Sequence, residues 1–147
     1  RQNVQFQERS REQVEGIEKG GYVLRDTQGD LNAIILATGS EVDLAVRASR
    51  ELEEKGIKAR VVSMPCLEVF DSQSKEYRDS VIPPQVKNRL VVEAGVTSLW
   101  YKYAGDRGRV MGLDRFGLSA PKGDLFEHLG FTVQNVVRAV EEMLSGE

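Results

Sequence analysis

Two rhythms of apolar residues alternate along this chain of 147 residues. Short continuous runs at 22–24, 33–37, 59–64, 90–93 and 109–113 are of strand length, and Ala33-Ile34-Ile35-Leu36-Ala37 suits a strand buried on both faces. Between them lie stripes at helical spacing. Val42, Ala45, Val46, Ser49 and Leu52 predict a helix over 41–55, which Gly56 stops while Ile57 turns back to touch Leu52. Val133, Val136, Val137, Val140, Met143 and Leu144 predict a last helix, capped by Thr132 and stapled by Phe131 against Val136. Shorter helices are expected over 75–81, with Ser74 as cap and Pro83-Pro84 as stop, and over 124–129, ended by Gly130.

The strand at 33–37, the helix at 41–55 and the strand at 59–64 form a βαβ unit, which requires parallel pairing and a right-handed crossover. Ser40 and Asp43 stand three apart, as the partners of a capping box do, and so predict the helix start. The whole pattern predicts a doubly wound α/β sheet of about five strands over 20–147, with ligands expected beyond the strand C-termini. Residues 65–87 read as a long, irregular connection around the 75–81 helix. Residues 1–19 are polar, with only Val4, Phe6, Val14 and Ile17 apolar, and read as an extended linker on the domain surface.

Composition narrows the function classes. Hydrophobic residues make up 40% and charged residues 29%, a globular balance, and a net charge of −3 leaves no electrostatic footprint for nucleic acid or an acidic membrane. No apolar run has membrane-spanning length and no secretory signal opens the chain, so with one cysteine, Cys66, a cytoplasmic location is expected. The chain starts at Arg1 rather than methionine, which suggests a processed chain or a piece of a longer one.

No constellation carries chemistry by itself, so no residue is assigned a catalytic role and none a metal. The single histidine, His128, reads as structural, and Cys66 as a small packing residue. Neither phosphate-loop fingerprint occurs, and Gly29-Asp30, Gly105-Asp106 and Gly123-Asp124 each lack the second glycine of a Gly-Asp-Gly diphosphate motif. The turn Thr38-Gly39-Ser40 either accepts an anion weakly at a helix start or simply begins the helix. Glu93 and Asp114-Arg115 lie where α/β proteins place functional groups, and serve equally well as loop-holding ion pairs. Trp100, Tyr101 and Tyr103 form a stacking surface or cover a core or interface.

Several phrases in order carry a family resemblance. They include Arg1-Gln2-Asn3, Gly20-Gly21-Tyr22-Val23-Leu24, Ala37-Thr38-Gly39-Ser40-Glu41-Val42 and Ala59-Arg60-Val61-Val62-Ser63-Met64-Pro65. Tyr77-Arg78-x-Ser80-Val81-x-Pro83, Val92-Glu93-Ala94-Gly95, Tyr101-Lys102-Tyr103, Asp114-Arg115-Phe116-Gly117 and Gly130-Phe131-Thr132 extend the series. Together they resemble the C-terminal domain of transketolase, from Arg1 to about Leu144.

The resemblance implies a three-layer α/β/α domain with a mixed, mostly parallel sheet whose first strand runs antiparallel. It also implies a parent homodimer that moves a two-carbon ketol unit between sugar phosphates in the pentose phosphate pathway. Thiamine diphosphate and a divalent metal (Mg or Ca) would be held by the preceding catalytic domains, leaving this part inactive alone and structural or regulatory. Arg1 matches the arginine that grips the substrate phosphate, a role its planar fork of donors suits. Two other readings remain open: an independent small-anion or nucleotide-binding module, and the C-terminal domain of a related enzyme such as deoxyxylulose-phosphate synthase or dihydroxyacetone synthase. A subunit of a split enzyme, with its catalytic domains on another chain, is disfavoured by the start at Arg1.

Overall fold

A computed structural model describes residues 5–95, 97–112 and 130–146. Among them, five strands form one sheet in the order β1 (Tyr22–Arg25), β3 (Ala59–Ser63), β2 (Ala33–Ala37), β4 (Arg89–Val92) and β5 (Arg109–Met111). β1 pairs antiparallel with β3, and the other three pairings are parallel. The expected mixed sheet with an antiparallel first strand is therefore present.

β2 is the centre, and every one of its residues has 0% exposure. Because successive side chains point to opposite faces, both faces need a cover. Ala33, Ile35 and Ala37, with Val61, Leu90 and Val92, face α2 (Val42–Glu54) and α6 (Val133–Ser145). Ile34 and Leu36, with Val62 and Val91, pack with Phe70, Val81, Trp100 and Tyr103 from α3 (Leu67–Asp71), α4 (Lys75–Val81) and the segment around α5 (Tyr101–Ala104). The result is three layers, as expected.

The predicted helix stops form as read. Gly56 takes φ +79°, and the Ile57 amide donates to the Leu52 carbonyl at 2.9 Å. Ser74 and Thr132 accept from Tyr77 and Asn135 amides at the starts of α4 and α6. Phe131 and Val136 are both buried in the core that α2 and α6 share.

Three local readings change. The α2 start is not a capping box: Thr38 leads into a single 3-10 turn, Gly39–Glu41, and Glu41 begins α2 without a side-chain cap bond. Ser40 instead donates to the Glu41 carboxylate at 2.6 Å, and Asp43 accepts from Gln7 at 3.2 Å. Residues 1–19 are not a plain extended linker, because Arg11–Glu18 forms a helix, α1. Its box is Ser10-x-x-Gln13, with Ser10 accepting from the Gln13 amide and Gln13 from the Ser10 amide. The connection at 65–87 holds a further short helix, α3, anchored by the buried Phe70. The last strand ends at Met111, before Gly112, and so is shorter than expected, while the expected helix over 124–129 lies outside the described residues.

α1 protects a sheet edge. β1 is a terminal strand, and such strands leave carbonyls open to wrong pairing. The Gln13 side chain donates to the Val23 and Leu24 carbonyls at 3.0 and 2.7 Å, while Arg9 donates to the Tyr22 hydroxyl at 2.7 Å. Gly20 makes the tight return from α1 to β1 at φ +81°, with the Cys66 carbonyl and Phe70 amide 2.3 and 2.5 Å from where a Cβ would lie.

Two glycines with the same backbone conformation therefore predict unequal costs. Gly20→Ala adds a backbone collision to left-handed strain and should cost about 3 kcal/mol or more. Gly56→Ala meets nothing within 4 Å and should cost only the strain, about 1 kcal/mol. Urea midpoints at unchanged slope measure both, and equal losses would contradict the close packing at Gly20.

Candidate functional site

Parallel strands bring their C-terminal ends to one rim, where β2 delivers Thr38, β3 delivers Ser63-Met64-Pro65 and β4 delivers Glu93. A groove of about 360 Å³ opens beside the Thr38 turn. Its walls include Gln7 and Arg9 from the N-terminal segment, Tyr22 from β1, Asp43 from α2 and Pro65. Gly39 is exposed at φ +58°, while Thr38 and Ser40 are half-buried.

Three acids gather at this rim, against Arg9 on the groove wall. Glu41 is buried at 3% exposure and holds the Ser40 hydroxyl, Asp43 lines the groove, and Glu93 stands half-buried beyond β4. Burial, and then the nearby Glu41 carboxylate, push the Glu93 carboxyl up to about 7. Such acids oppose a second negative charge at the α2 start.

The other sequence candidates separate in space. Trp100 and Tyr103 are buried in the core beneath α5, whereas Tyr101 is 58% exposed, so the three do not form one stacking surface. Cys66 is exposed at the start of α3 rather than packed, a correction that follows from the turn of the chain after Pro65. Arg1, Asp114, Arg115 and His128 lie outside the described residues.

The residues described here do not fit a thiamine diphosphate–metal site. No group of three His, Cys, Asp or Glu among them is placed to hold a metal ion. Asp30 and Asp106 sit in exposed turns without the second glycine that shapes a diphosphate loop. No helix among them is long and apolar enough to cross a membrane.

Reading the sequence alone missed the N-terminal strap. Gln7, Arg9 and Gln13 each bond to a distant element, α2 or β1, and only the Ser10-x-x-Gln13 spacing signalled any of it. Side-chain bonds across 36 and 13 positions leave no local mark.

Glu93 supplies a pH test. Its folded pKa is raised above the ordinary 4.5, so its protonated form favours the fold. That contribution is fully present below about 4.5 and is lost as pH rises through about 7. Glu93→Gln should thus overtake the wild type across this window, gaining on the order of 1 kcal/mol above pH 7 after screening of a half-exposed group. Thermal unfolding at pH 4 and pH 8 measures it, and a pH-independent difference would contradict the raised carboxyl.

Comparison with known proteins places this geometry. The family described as the Transketolase-like TK C-terminal domain matches residues 20–132. Transketolase 1 of Escherichia coli is 52% identical over 144 residues, 98% of this chain and 22% of that protein. Transketolase 2 of Vibrio parahaemolyticus is 51% identical over 145 residues, 99% of this chain and again 22% of its own length. The solved transketolase of Leishmania mexicana superposes with a TM-score of 0.82 at 42% identity, over 90% of this chain and 19% of that one. This chain spans about a fifth of the length of these relatives, and it belongs to the transketolase C-terminal domain family.

Proposed function

We propose that this chain is the C-terminal domain of a transketolase, and that the longer protein transfers a two-carbon ketol unit between sugar phosphates. The observation that carries the reading is identity of 51–52% to transketolases across 98–99% of the chain. A Pichia stipitis transketolase with the same fold, at 42% identity and TM-score 0.81, was solved in complex with sedoheptulose 7-phosphate.

In this reading thiamine diphosphate and its divalent metal are held elsewhere in the longer protein, which works as a cytoplasmic homodimer in the pentose phosphate pathway. The chain's own task is to brace that assembly and to supply Arg1. The strap supports this division. Gln7, a few positions after Arg1, is tied to Asp43 of α2, and Arg9 is tied to Tyr22 of β1. Arg1's guanidinium is of the kind that meets a phosphate with two parallel N–H donors. Thr38, Gly39 and Ser40 are at most a weak anion turn, since Glu41 and Asp43 flank them.

Two experiments test the reading. In the full-length protein, replacing the residue equivalent to Arg1 with glutamine removes a charge-assisted bond of about 1.5–3 kcal/mol, so kcat/KM for phosphorylated ketoses should fall roughly ten- to hundredfold. Non-phosphorylated ketoses should be nearly unaffected, and equal losses for both would contradict the assignment. Calorimetry of this chain with thiamine diphosphate and magnesium should be flat, while tight binding would move the cofactor site into this domain.

A further inference from the structure

A second groove, of about 380 Å³, shares no lining residue with the one at Thr38 and opens between α3, α4, the Pro83-Pro84 turn and α5. Four cations reach it, Arg78, Lys87, Arg89 and Lys102, against two carboxylates, Asp71 and Asp79. That is a local excess of positive charge in a chain whose net charge is −3.

The commitments of these groups differ sharply. Arg89 donates to the carbonyls of Val86, Tyr103 and Pro83, so it holds loops together. Lys102 is paired with Asp71, which also accepts from the Tyr103 hydroxyl at 2.7 Å. Asp79 is paired with Lys75 at 2.5 Å. The side chains of Arg78 and Lys87 make no hydrogen bond or ion pair to any described residue, although Asp71 lies within electrostatic reach of Arg78. The Nε of Arg78 is buried without an acceptor. That Nε is closed to the groove, so a ligand there would meet the terminal guanidinium nitrogens, to which neither nearby carboxylate has turned.

We infer that this groove binds the phosphate of a small phosphorylated molecule, with Arg78 and Lys87 as its ligands. A phosphate's three oxygens can take the Arg78 fork and the Lys87 ammonium together, which a single carboxylate already committed elsewhere cannot. Ile82 and Pro84 line the same groove and offer an apolar wall to a short carbon skeleton. The volume suits a metabolite rather than a nucleic acid strand. The proposal does not depend on the role proposed for Arg1.

Titration of the labelled chain, followed by its amide resonances, tests this with glycerol 3-phosphate and inorganic phosphate. Glycerol and sodium chloride at matched ionic strength are the controls. Saturable shifts should centre on residues 78, 82, 87 and 102, with glycerol 3-phosphate binding tighter than phosphate. Arg78→Gln and Lys87→Gln should each weaken binding about tenfold, while Arg107→Gln, at an exposed cation elsewhere, should not. Shifts reproduced by sodium chloride, or unchanged affinity in the two groove variants, would overturn the proposal. Lys87 is exposed, so Lys87→Gln decides the matter even if Arg78→Gln perturbs α4.

Discussion

Burying β2 on both faces is the constraint from which the rest follows. Its five residues are wholly inaccessible, and their backbone groups are satisfied by β3 on one side and β4 on the other. Such a strand cannot sit at a surface, so the chain must supply a helical layer above and another below. α2 and α6 make one layer, and Lys55, at the end of α2, pairs with Glu141 of α6 at 2.8 Å. The aromatic cluster of Phe70, Trp100 and Tyr103, with ring centroids 5.9 and 6.4 Å apart, closes the other.

The same constraint places what lies at the margins. Parallel pairing puts the ends of β2, β3 and β4 on one rim, where the acids Glu41, Asp43 and Glu93 gather. It also leaves β1 as an outer strand, and the segment before it folds back to cover that edge. The N-terminal strap is therefore part of the domain's architecture.

What could be read from the sequence tracks how local each interaction is. Strand runs, the stripes of α2 and α6, and the Gly56 and Thr132 ends are set by neighbours within a turn or two, and they formed as expected except that the last strand stops at Met111. The α2 start did not, because Glu41 takes the Ser40 hydroxyl while Gln7 claims Asp43 from 36 positions away. α3 escaped notice because five residues cannot show a stripe, and its Cys66 cap makes no side-chain bond. The cationic groove was invisible for a further reason. It depends on which charges are already paired, and only the folded arrangement of Asp71, Asp79 and the Pro83–Val86 carbonyls decides that.

Native-state hydrogen exchange tests the central role of β2 most directly. If the doubly buried strand holds the layers together, amides of residues 34–37 should exchange only through global unfolding, with the same free energy and denaturant slope as the whole chain. The α1 amides, outside both core clusters, should open at much lower cost. Exchange at β2 through a smaller opening that leaves α2 and α6 protected would contradict the account.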